Sequence, residues 1–160
     1  MATRSPSSVA SHRSRRPRAA AAVAGVVLLA SASAGCLPAD ANTFLQRTNA
    51  LRTSHGVAPL ADQDVLTKKA EEWARHLADT GTLAHSELSA SLDGLPWFAL
   101  GENVGVSTPT DDTLRTLQDQ LASSAQHRAN LLNGQFDHMG VGVAESADGR
   151  VWVVEVLADL

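Results

Sequence analysis

Residues 139–157 read MGVGVAESADGRVWVVEVL, and this stretch decides the fold class. An apolar run over 139–145 meets the polar turn Ser146-Ala147-Asp148-Gly149, and a second run returns over 150–157. Two strand-like runs joined by a short glycine-containing turn predict a β-hairpin. In the second run Trp152, Val154 and Val156 share one face, because side chains alternate along a strand.

Upstream of the hairpin the periodicity is helical. A short helical turn is expected over 126–132, broken by Asn133-Gly134, and a longer helix over about 111–123 with Leu114, Leu117 and Leu121 inward. Residues 82–110 read as loop, punctuated by Gly94, Pro96, Gly101, Gly105 and Pro109. Before them Leu66, Ala70, Trp73, Ala74 and Leu77 make a core stripe on a helix that starts near Asp62 or Asp64 and stops at Gly81. Lys68, Lys69, Glu71, Glu72 and Arg75 fall on its remaining surface, most simply a solvated face. The first helix is expected from Asn42, with Phe44, Leu45, Thr48 and Leu51 at helical spacing and Asp40 or Asn42 as cap. Gly56 closes it, His55 beside that end is placed to favour the helix dipole when charged, and residues 57–60 form an extended connector before and around Pro59. Helices before and around a small, mainly antiparallel sheet make the chain α+β, with helices on both sheet faces.

Charge is unevenly spread along the 160 residues. Five of the 13 basic residues lie in the first 18, and no acid precedes Asp40. From Cys36 onward 8 basic groups therefore face 17 acidic ones, a net charge of −9. A domain that acidic lacks the Lys/Arg footprint on which nucleic-acid affinity rests, so nucleic-acid binding is excluded. Hydrophobic content of 44% with 19% charged residues marks a globular chain. A single cysteine rules out an internal disulfide and a cysteine zinc cluster. No internal repeat is visible, which removes solenoids and propellers.

Residues 1–35 read as an export signal. A basic n-region over 1–18 is followed by the apolar, uncharged AAAAVAGVVLLASASA over 19–34, too short and Ala-rich for a membrane span. Ser33-Ala34-Gly35-Cys36 resembles a bacterial lipobox, in which Cys36 is lipidated and becomes the new N-terminus; Ser33 stands where Leu is usual. The alternative is an ordinary cut after Ala34, with Ala32-Ser33-Ala34 as the cleavage site. Either way the mature part is extracytoplasmic, with residues 36–41 a linker, 42–160 the folded domain, and Cys36 its only candidate membrane attachment.

Several catalytic signatures are missing: G-x-S-x-G, H-E-x-x-H, a phosphate loop and a dinucleotide fingerprint. The residues with chemistry to offer are His85, Glu102 in Gly101-Glu102-Asn103-Val104-Gly105, and His127. Two neutral imidazoles and a carboxylate could hold Zn²⁺ with a position open for water, or pass protons with the carboxylate fixing one ring's tautomer. Each also has a structural reading. His85 could close a loop, Glu102 could accept backbone N–H groups, and Ser124 suits an N-cap with His127 as N3. His76 and His138 read as surface or packed residues, and Trp97-Phe98 as either a buried staple or an exposed apolar lip.

The ordered pieces Thr48-Asn49-x-x-Arg52-x-x-x-Gly56-x-x-Pro59-Leu60, Ala84-His85-Ser86, Gly101-Glu102-Asn103-Val104-Gly105, His127-Arg128-x-Asn130-Leu131-Leu132 and Met139-Gly140-Val141-Gly142-Val143-Ala144 resemble the CAP superfamily, the SCP-domain group, in its short bacterial form. The resemblance spans about residues 42–158 and implies a three-layer α–β–α sandwich with a cleft over the sheet. It also implies a cleft tetrad of two histidines and two acids, carried here by His85, His127 and Glu102. The second acid departs: Ser124 stands in the matching place, and Asp119 is the nearest substitute. Leu121 stands where a Trp is common. The expected function is a non-catalytic binding module for an apolar lipid or cell-envelope ligand, with zinc as the candidate ion on His85, Glu102 and His127. The alternative is a metal-assisted, peptidase-like hydrolase using the same three residues.

Overall fold

The computed structural model describes residues 38–160 apart from positions 91 and 93. The export segment and Cys36 lie outside the described residues. Helix α1 spans Pro38–Ser54, so the expected linker over 36–41 is already helical from Pro38, a residue well suited to a first helical turn. Phe44, Thr48 and Arg52, four residues apart, are its fully buried face. After α1, Asn49 clamps the extended connector through Nδ2 to Leu60 O (2.9 Å) and Oδ1 from Leu60 N–H (2.7 Å). That clamp leads into a strand absent from the sequence reading, β1 at Ala61–Asp62.

Helix α2, Asp64–Thr80, begins at Gln63, whose side chain accepts from the Val65 and Leu66 N–H groups. It ends at Gly81, where φ of 65° is left-handed and the N–H returns to Leu77 O at 2.8 Å. Strand β2 (Ala99–Ser107) follows, then α3 (Thr113–Ser123), α4 (Ala125–Leu131), β3 (His138–Glu145) and β4 (Val151–Asp159). The hairpin is as expected, with Met139 opposite Leu157 and Glu145 opposite Val151. The loop expected over 82–110 is corrected, because β2 pairs antiparallel with β4 along its whole length, Glu102 opposite Val156 and Asn103 opposite Glu155.

The sheet runs β1-β3-β4-β2, antiparallel except for β1 with β3. Strand alternation divides the core in two. Trp152, Val154, Val156 and Ala158 face α2 with Leu66, Ala70, Ala74 and Leu77. Val153 and Leu157 face the other way, with Val141 and Val143 from β3, Phe44 from α1, Leu117 and Leu121 from α3, and Leu131 from α4. Helices therefore cover both faces, giving an α–β–α sandwich. Where α2 crosses β3 the approach is so close that a Cβ on Gly140 would sit 2.1 Å from the Leu66 carbonyl carbon, and one on Gly142 2.2 Å from Ala70 O.

Candidate functional site

Strand β2 is an edge of the sheet, and the expected site residues gather along it. Glu102 projects to the α2 face, buried at 1% side-chain exposure. Its Oε1 accepts from His85 Nδ1 at 2.7 Å and from the Ser86 N–H at 2.9 Å. His85, on the segment after α2, is by contrast 54% exposed. A buried carboxylate thus holds an exposed imidazole by one nitrogen, fixing Nδ1 as the donor and leaving Nε2 for other chemistry. The segment carrying His85 is itself tied down: Trp73 Nε1 donates to Ala84 O at 2.9 Å, and Lys69 Nζ to Glu87 O at 2.7 Å and Ala90 O at 3.0 Å.

His127 comes from α4. Burial lowers its pKa, and the charge of nearby His85 lowers it further, so the two rings belong to one electrostatic neighbourhood. Three buried polar atoms here, Glu102 Oε2, Ser86 Oγ and His127 Nδ1, have no protein hydrogen-bond partner. Of these residues Ser86 also lines a hollow of about 300 Å³, together with Lys69, Trp73, His76 and Glu87 among others. Trp73 and His76 stack there, ring centroids 4.5 Å apart. Among the described residues no group of three or more His, Cys, Asp and Glu is disposed to hold a metal ion. Only Oε1 of Glu102 is turned onto a ring nitrogen and a backbone N–H, and Oε2 is left without a protein partner.

Several expectations are corrected. Lys69 is not on a solvated face: it is 7% exposed, and burial lowers its pKa, with Glu102 first among the acids that counter this. Ser124 occupies the N-cap of α4, yet its side chain makes no capping bond. Asp119 pairs with exposed Arg115 at 3.7 Å and is itself 70% exposed, so it supplies no second acid. His55 stands at the end of α1, its Nδ1 2.8 Å from Leu51 O and its Nε2 2.8 Å from an Arg128 guanidinium nitrogen. Trp97 and Phe98 are exposed rather than a buried staple.

The buried acid that sequence reasoning missed is Glu155, fully buried on the opposite face of the sheet from Glu102. Its place in an otherwise apolar β4 run was the available signal. Asn103 Nδ2 donates to its Oε2 at 2.9 Å and to His127 O at 3.3 Å, while Asn130 Nδ2 donates to Asn103 Oδ1 at 3.0 Å. The Asn of the glycine-flanked motif is therefore the joint between β4, β2 and α4.

The CAP sequence pattern, that of the cysteine-rich secretory protein family, matches residues 45–156. The chain belongs to the CAP family. Protein YkwD of Bacillus subtilis, described as uncharacterized, is 29% identical over 122 residues; the match covers 71% of this chain and only 45% of that relative. Among solved CAP-like folds, an outer surface protein of Borrelia burgdorferi superposes with a TM-score of 0.67 at 17% identity, covering 79% of this chain and 98% of that one. A cysteine-rich secretory protein of Staphylococcus aureus gives 0.60 at 23% identity, over 77% of this chain and 39% of that one. An extracellular protein with an SCP domain from Bacillus anthracis gives 0.62 at 22%, over 77% and 41%. In this CAP chain the Thr48-Asn49-x-x-Arg52 motif is architectural. Thr48 reaches Glu155, Asn49 clamps Leu60, and Arg52 binds carbonyls at four positions.

Lys69→Met is expected to cost about 1–2 kcal/mol, the scale of two hydrogen bonds whose carbonyl acceptors can turn to water. Amide exchange across residues 82–98 should quicken with it. Unchanged exchange there would show that the ammonium does not hold the segment.

Proposed function

We propose that this CAP domain is an extracytoplasmic, non-catalytic binding module whose exposed His85 and neighbouring hollow receive a small apolar or cell-envelope ligand. The observation that carries the reading is the pairing of a buried Glu102, 1% exposed, with a His85 that is 54% exposed and so turns its free Nε2 to whatever enters. Ser86, whose Oγ has no protein partner, lines the hollow, which suits a ligand that brings a hydrogen-bonding group of its own. Export is supported by the basic and apolar n- and h-regions over 1–34 and by relatives described as secretory or extracellular. Anchoring through Cys36 is part of the proposal, and among the described residues no helix is long and apolar enough to cross a membrane.

Titration of the protein with a fatty acid, a sterol and a solubilised cell-wall saccharide-peptide fraction, followed by Trp fluorescence, tests the reading. Saturable binding to one of these, weakened at least about tenfold (1.4 kcal/mol) in His85→Ala without a change in melting temperature, is the expected result. Equal affinity in His85→Ala, or no binding by the wild type, overturns it. Peptide hydrolysis that disappears in Glu102→Gln would favour the hydrolase alternative. Zinc binding by calorimetry that is lost when His85→Ala is combined with His127→Ala would favour a metal at this site.

A further inference from the structure

We propose that Glu155 is a positioning residue for the His85–His127 site, and that a proton on its buried carboxyl governs how firmly Asn103 holds α4 against β2. The argument starts from the hydrogens available. The Asn103 amide has two N–H groups, one on Glu155 Oε2 at 2.9 Å and the other on His127 O at 3.3 Å. Its own oxygen is taken by Asn130 Nδ2, which also donates to Glu102 O at 3.2 Å. One amide thus ties α4 to the sheet, and its orientation is set by a carboxyl opposite it on the same face.

Among the described residues no cation answers that carboxyl. From α1 it meets Thr48 Oγ1 at 3.4 Å, which in turn accepts from Gln118 Nε2 of α3 at 3.1 Å. Arg52, one turn further along α1, directs its donors to Ala58, Leu131, Asn133 and Phe136 carbonyls. From α4, Arg128 binds His55 Nε2 and Ala122 O, and His127 contributes only its backbone carbonyl. Strand β3 presents Val141 opposite Glu155, α3 carries Arg115 and Asp119 as an outward pair, and Glu102 projects from the reverse face of β2. Burial accordingly pushes the carboxyl up to about 7, opposed only by the bonds from Asn103 and Thr48. Ionisation turns Glu155 into the stronger acceptor, so it draws the Asn103 amide in and weakens the longer bond to His127 O.

The inference deepens the reading of His127 as a site residue, but its test needs no ligand, so either can fail without the other. In the protein labelled for NMR, the Glu155 carboxyl carbon and the side-chain NH2 groups of Asn103 and Asn130 should titrate together with a midpoint of about 7. Glu155→Gln, of the same shape and always neutral, should abolish the movement at both asparagines. Stability should follow: a carboxyl raised from 4.5 to about 7 on folding contributes fully below pH 4.5 and less as pH rises through 7, a slope that Glu155→Gln removes. Asparagine titration that persists in Glu155→Gln overturns the proposal. If that variant does not fold, wild-type midpoints for Glu155 and the asparagines that differ by more than about one pH unit overturn it equally.

Discussion

Gly142→Ala is expected to be among the most destabilising single substitutions in the protein, by about 3 kcal/mol or more. The added Cβ would lie 2.2 Å from Ala70 O and 2.4 Å from Glu71 N, both backbone atoms of α2 that no rotamer change can move. To restore ordinary contact α2 must retreat by about 1 Å or more. Retreat opens the core that Leu66, Ala70, Ala74 and Leu77 build with Trp152 and Val154. Overpacking of this kind costs about 3 kcal/mol or more, a large fraction of a small domain's stability. Urea unfolding checks it against Gly134→Ala, where a Cβ meets nothing within 4 Å and the change should stay within about 0.5 kcal/mol. Equal midpoints for the two variants would refute the close-packing account.

Arg52→Met should be the next most damaging. The guanidinium is completely buried, and its donors reach Ala58 O at 2.6 Å, Leu131 O and Asn133 O at 3.0 Å, and Phe136 O at 2.9 Å. Methionine fills much of the volume and strands those carbonyls, for an expected loss of about 4 kcal/mol. Arg52→Lys should recover only part, because a single ammonium cannot span the fork that joins α1 to the segment after α4. Denaturant midpoints measure both, and a loss below about 1 kcal/mol for Arg52→Met would mean that water can replace the guanidinium there.

The elements that were legible in the sequence are those whose pattern is local. The hairpin shows its alternation within one stretch, and α2 and α3 show their stripes. Strand β2 was hidden because Gly101, Glu102, Asn103 and Gly105 look like loop residues until β4 supplies a partner. Its glycines answer to neighbours distant in sequence: a Cβ on Gly101 would press on Phe136, and one on Gly105 on Val153. The first helical residues were hidden by Pro38, which reads as linker but suits a helix start. At the site, His85, Glu102 and His127 were visible by residue type and motif order. Lys69 and Glu155 were not, because a charge at a helical or strand position looks solvated until the packing around it is known.

The edge position of β2 has a consequence beyond the proposed ligand binding. A nine-residue strand paired on one side only is a template on which another chain can add by backbone pairing. Here the side chains of α4 lie across it, with Asn130 occupying the carbonyl of Glu102, while the segment bearing His85 and Ser86 is tethered to the Glu102 side chain. Residues of the proposed binding surface thereby also cover part of this edge, so selection for solubility alone would preserve part of this constellation even in a relative that bound nothing.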